Sequence, residues 1–253
     1  KLIGRSRAET RLRLLEVAAM FSEFHGWLAD DLGDTAEGRR RSEQALQFAE
    51  ASGNENLSAY ILMRMSQQAQ LSGDRGMVEP LAAAAMRRGP SGRVTGRVLA
   101  ATAQQRAFGY ALDRNEGKAL DSWDHACRII TDTRETEDDP FHLADYCSTP
   151  YLMAQRGLIL ATLGRYEEAL DAYTDALVSW PSEYRREHGL QFARQAQIAV
   201  SAGHIDRALS SVTSAMRIER ETHSRRIMRL VDIVLDAMPN TKDVQELREM
   251  TTR

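Results

Sequence analysis

The chain has 253 residues, 43% hydrophobic and 27% charged, an ordinary balance for a globular protein, and no apolar run approaches the roughly 18 residues a membrane span needs. A formal charge of −3 and an isoelectric point near 6.1 give no global field for holding nucleic acid, so direct nucleic-acid contact by this segment is not expected. No membrane contact is expected either, and a cytoplasmic location is the default.

The opening stretch KLIGRSRAETRLRLLEV is basic and turns helical without the apolar core of a secretory signal. A start at Lys1 suggests a fragment. Beyond it, small residues recur in register. Alanine falls at 45, 85, 126, 176 and 215; seven residues before these stand Gly38, Val78, Ala119, Ala169 and Ala208; twelve further back stand Gly26, Ser66, Ala107, Gly157 and Ala196. Such spacing lets two antiparallel helices approach closely. Between them Gly33, Gly73, Gly164 and Gly203 mark tight turns, with Arg114-Asn115 in the third copy.

The register predicts helical pairs at about 8–50, 56–88, 96–130, 150–180 and 187–218. An acidic insertion over 131–149 lengthens the third interval, and its Asp139-Pro140 predicts a short helix from about 140 to 147. The end, 221–251, reads as a capping helix pair with Thr241 as N-cap of its second member. Each pair needs a neighbour to cover its apolar face, so residues 1–253 are expected to form one helical-repeat domain.

Pro150 to Glu183 carries Gly157, Gly164, Tyr166, Ala169, Tyr173, Ala176 and Pro181 at spacings that resemble a tetratricopeptide (TPR) repeat. The resemblance implies an all-α fold, a right-handed superhelix of about five TPR-like hairpins plus the C-terminal cap. In that family the first helix of each pair faces an inner groove. Carried across by register, the groove candidates are Trp27, Arg64, Gln67, Gln104, Phe108, Tyr151, Gln155, Arg194 and Gln197. Glutamines match a peptide backbone or a polar small molecule, and the aromatics supply apolar area. Alternatively, Trp27 and Phe108 pack between neighbouring pairs. Arg64 and Arg194 are expected to be exposed, so that their loss weakens binding and spares folding.

No enzyme is expected, because no phosphate loop, nucleophile elbow or HExxH motif occurs in the sequence. No cofactor is expected. The six histidines have no partner at metal-ligand spacing, so no metal site is expected, and Cys127 and Cys147 read as reduced thiols. Thirty of the 33 basic residues are arginine, a skew that points to a high-GC bacterium.

The stretches RLLEVAAMFSEFHGWLADDLGDTAEGRRRSEQALQFAEASGN, YILMRMSQQAQLSGD and DDPFHLADY, followed by the TPR-like copy, resemble the C-terminal region of actinobacterial Xre-class helix-turn-helix transcriptional regulators. That resemblance implies a sensor and oligomerisation module that answers a peptide or small-molecule effector, with a DNA-binding domain ahead of the repeats. Nothing in these residues resembles such a domain. A stand-alone TPR scaffold for protein–protein interaction is the alternative. A homodimer is expected, with 221–251 contributing through the apolar stripe Ile227, Leu230, Val231, Val234, Leu235 and Met238; alternatively this stripe only caps the fifth pair.

Overall fold

A computed structural model describes residues 7–89, 92–133 and 139–251, which form twelve α-helices and no strand. No helix among them is long and apolar enough to cross a membrane. Contacts divide the chain into two compact units, 1–148 and 149–253.

The first unit contains α1 (Ala8–Leu32), α2 (Thr35–Ser52), α3 (Glu55–Ser72), α4 (Arg75–Met86), α5 (Gly96–Leu112) and α6 (Glu116–Asp132). Successive helices pack as hairpins, α1 on α2, α3 on α4 and α5 on α6, while α2 meets α3, α4 meets α5, and α3 touches both α1 and α5. Starts and stops are written locally. Asp34, Asn54 and Asn115 accept from the backbone N–H three residues on, at 3.0, 2.9 and 3.2 Å, each satisfying a donor that the first helical turn leaves without a partner. Gly33 ends α1 at φ 89°, where glycine avoids the Cβ clash; in the third hairpin Arg114 takes the equivalent left-handed conformation at φ 58°.

Small residues set the helix separation. Ala45, Val78, Ala82, Ala85, Ala107, Ala119 and Ala126 are completely buried. At Gly26 a Cβ would sit 3.1 Å from the Gly38 carbonyl oxygen, so α1 and α2 cross with no room for a side chain.

Residues 139–147 form consecutive turns rather than the expected helix. His142 and Ala144 take positive φ, 51° and 59°, which breaks any helical run. The Asp139 carboxylate accepts from the backbone N–H of Phe141 and of Leu143, at 3.0 and 2.9 Å, so it caps a turn instead of starting a helix. Residues 134–138, within the acidic insertion, lie outside the described residues.

The second unit contains α7 (Thr149–Thr162), α8 (Tyr166–Val178), α9 (Arg185–Ser201), α10 (Ile205–Thr222), α11 (Arg225–Ala237) and α12 (Lys242–Thr251). Here α7 pairs with α8, α9 with α10, and α8 joins the two pairs through α9. The stripe assigned to dimerisation is used inside the chain. Ile227, Val231, Val234, Leu235 and Met238 are buried, with α11 packed on α9, α10 and α12. A Cβ on Gly189 would come within 2.5 Å of the Ile227 Cδ1, so α11 and α9 are in direct contact. The open end of α9 and α10 needs an apolar lid, and α11 supplies it.

Ala176 and Ala169 on α8 are fully buried beside the α7 crossing, where a Cβ on Gly157 would lie 2.4 Å from the Tyr173 ring. Ala176→Leu adds three carbons to this filled contact and is expected to cost about 1–3 kcal/mol. Ala169→Leu is expected to behave alike. Urea denaturation checks both, and a midpoint equal to the parent's would mean that the crossing is loose.

Candidate functional site

A polar cluster in the first unit grows from α1 and α3. Glu23 lies on the α1 face that also buries Glu16, Ala19 and Gly26, a 3–4–3 spacing that turns it towards α3. Across that contact Arg64 Nε donates to Glu23 Oε1 at 2.8 Å. Arg64 also donates to Gln67, one turn along α3, where residues three apart are neighbours. Gln67 Nε2 in turn reaches the Tyr146 hydroxyl at 3.4 Å.

Tyr146 is carried by the 139–147 turns, which are pinned to two helices. Asn56 of α3 donates to Asp139 at 3.3 Å, and its Oδ1 accepts from the Thr95 backbone N–H at 3.0 Å just before α5 begins. Arg97 donates to the carbonyls of Asp145 and Cys147 at 3.1 and 3.3 Å. Leu143, Ala144 and Cys147 are buried beneath. The segment is thus a fixed wall of the cluster, built from residues far apart in sequence.

The ion pair is largely withdrawn from water, with side-chain exposures of 18% for Arg64 and 9% for Glu23. Burial opposes the Arg64 charge, but Glu23 first and then Tyr60 and Tyr146 hold its pKa above the ordinary value. Burial raises the Tyr60 hydroxyl well above its usual range, with Glu23 adding to the shift. Tyr146 is pushed up to about 12 by burial, against the opposing charge of Arg64. Both phenols stay protonated at neutral pH, and the Tyr146 O–H is directed at the Met63 sulfur at 3.9 Å. The cluster presents one guanidinium, one carboxylate, two phenols and an amide, a set suited to recognising a polar or anionic group.

The nine groove candidates fall on both units. In the first, Arg64 and Gln67 belong to this cluster. Arg64 departs from expectation: it is paired and mostly covered instead of exposed, because Glu23 lies opposite it on α1. Its loss must therefore disturb folding as well. Trp27 is half-buried on α1, stacked on Phe24 with ring centroids 5.8 Å apart. Gln104 is completely buried and accepts from Gln105 at 3.3 Å, and Phe108 is 6% exposed, so both lie inside the unit. Ser66, also fully buried, donates to the Val78 carbonyl at 2.7 Å and contacts Gln105 at 3.4 Å, which ties α3, α4 and α5 together beneath the cluster.

In the second unit Tyr151 is half-buried and Gln155 buried on α7, while on α9 Arg194 is half-buried and Gln197 exposed. Arg194 approaches Gln191 at 3.5 Å. Burial pushes the nearby Tyr173 hydroxyl up to about 12, with the Arg194 charge opposing. A depression of about 460 Å³ at the α9–α10 turn is lined by Gly203, His204, Ile205, Asp206 and Arg207, and none of the nine candidates borders it.

Glu23 and Tyr60 lie on the first helices of their pairs, as the groove candidates do, but the sequence carries no signal of their part in the cluster. The Asn56–Asp139 contact, which helps fix Tyr146 in place, had no signal, since it spans 83 residues and follows no repeat spacing. Among the described residues no group of three or more histidines, cysteines or carboxylates stands together as a metal site would require.

Neither Cys127 nor Cys147 forms a disulfide. Burial pushes the Cys147 thiol up to about 12, which leaves almost no thiolate, the reactive form, at neutral pH. A maleimide is therefore expected to modify half-buried Cys127 in the folded chain and spare Cys147, with both modified in urea. Mass spectrometry of the digested product checks this; equal modification in the folded state would contradict the burial.

No family model and no curated protein matches the chain.

Proposed function

We propose that the chain is the ligand- or peptide-sensing domain of a bacterial transcriptional regulator, built from TPR-like hairpins that stack as a right-handed superhelix, with DNA contact made by a separate domain. The observation that carries the sensing role is the largely desolvated Arg64–Glu23 pair, flanked by Gln67, Tyr60 and Tyr146. Desolvation consumes most of what such a pair gains, so it is a poor device for stability alone. It is a good device for a switch. A ligand carboxylate or phosphate that competes with Glu23 for the guanidinium would loosen α1 from α3, and differential affinity for the two arrangements would shift the population between them.

Native mass spectrometry of the chain purified from a high-GC bacterial host tests the reading, which expects a bound small acid or peptide that is lost when Gln67 is replaced by alanine. A chain that carries nothing from its host, yet retains a protein partner in the same preparation, would favour the interaction scaffold.

A further inference from the structure

Helix α1 packs within the unit on one face and carries an apolar row on the opposite one. One face packs against α2 and α3 through Glu16, Ala19, Glu23, Gly26 and Ala29. The other carries Leu14, Val17, Phe21, Phe24 and Leu28, at alternating intervals of three and four residues. That interval is the seam of a two-helix coiled coil, narrower than the stripe a helix turns towards a globular core. Among the described residues nothing covers its centre: Phe21 is 71% exposed, Phe24 54%, Val17 43% and Leu28 38%, while Leu14 is half-buried. Single exposed apolar side chains are common, but a contiguous row with two phenylalanines marks a contact surface.

Charge indicates what occupies it. The beginning of α1 carries Glu9, Arg11 and Arg13, the last already paired with Glu16 at 3.1 Å, and its end carries Asp30 and Asp31. A parallel pair of α1 helices would set arginine beside arginine and aspartate beside aspartate. An antiparallel pair reverses this and brings each basic end to an acidic one, with opposed helix dipoles also favourable. We propose that α1 is a homodimer interface, pairing antiparallel with α1 of a second copy. In the register that meshes the two phenylalanines, Phe21 lies opposite Phe24 of the partner subunit and Val17 opposite Leu28 of the partner subunit, while Asp31 of the partner subunit falls opposite Leu14, one residue from Arg13. The two phenylalanine layers form the centre, and the charged ends fix the direction. Pairing here is independent of whether the Arg64 cluster binds a ligand.

Sedimentation equilibrium of the full chain tests this. The native chain is expected to be a dimer, and Phe21→Glu combined with Phe24→Glu to weaken self-association by more than about a hundredfold, because buried central aromatics carry most of an interface's energy. Both side chains face solvent within one copy, so circular dichroism should show unchanged helix content. Charge reversal supplies a second arm: Arg13→Asp and Asp31→Arg should each weaken pairing roughly tenfold, and the two together should restore it. A native chain that stays monomeric up to on the order of 0.1 mM overturns the proposal. So does a dimer that survives the double phenylalanine replacement, which would place the contact, or a different partner for α1, elsewhere. Failure of the combined charge swap to recover pairing overturns the antiparallel order.

Discussion

Replacing Arg64 by leucine is expected to destabilise the chain by about 2–4 kcal/mol, the upper part of the range for removing one partner of a buried ion pair being trimmed for the residual solvent at Arg64. The loss comes from Glu23, 7% exposed, which keeps its charge but loses the guanidinium 2.8 Å away. Gln67 loses its charged donor in the same step. Replacing Glu23 by leucine as well removes the stranded carboxylate, so the double variant is expected to recover a large part of the loss. Urea denaturation of the two single variants and the double gives the coupling directly. Additive single losses would mean that the pair is not formed in solution.

The second large effect is expected at Gly109 on α5. A Cβ there would stand 2.9 Å from the backbone Cα and N of Glu79 and 2.7 Å from its Cβ, and backbone atoms of a packed helix cannot swing aside. Gly109→Ala must therefore push α4 from α5, with an expected cost of about 2–3 kcal/mol even though alanine is the better helix former. Gly117 on α6 provides the contrast, since a Cβ there meets nothing within 4 Å. Gly117→Ala is expected to stabilise by about 0.4–1 kcal/mol through the unfolded chain. Opposite shifts of the thermal midpoint in the two variants check both; equal shifts would show that the α4–α5 approach is looser than the geometry requires.

The all-helical class was legible because its signals are local. Small residues recur at the helix crossings, and Asp34, Asn54 and Asn115 stand where first turns need acceptors. The 140–147 segment shows where local reading fails. Asp139-Pro140 has the chemistry of a helix start, yet the same carboxylate serves a tight turn equally well, and contacts with Asn56 and Arg97 select the turn. The 227–238 stripe shows a second limit: a sequence reveals that a helix has an apolar face but not whether its own chain or another covers it. Here α11 spends that face on α9, while the matching row on α1 remains exposed.

The site was half legible for a related reason. Register picked out Arg64 and Gln67 as neighbours on one helix face. It gave no hint that Glu23 neutralises Arg64, because the pair joins positions 41 residues apart through the α1–α3 packing. Gln104 looks the same as Gln67 in sequence, but Gln104 is fully buried where Gln67 is half-buried, and only the packing tells the two glutamines apart.

The sensing role stands or falls on whether the Arg64 cluster holds a ligand. The most direct measurement is native mass spectrometry of the full chain against a mixed library of short peptides and small polar acids, repeated with Gln67→Ala and with Tyr146→Phe. Both replacements leave the Arg64–Glu23 pair in place. At least one compound is expected to be retained by the native chain and to bind roughly tenfold more weakly in each variant, the scale of one lost hydrogen bond to a bound polar group. Retention of no compound, or equal retention by all three proteins, would contradict it.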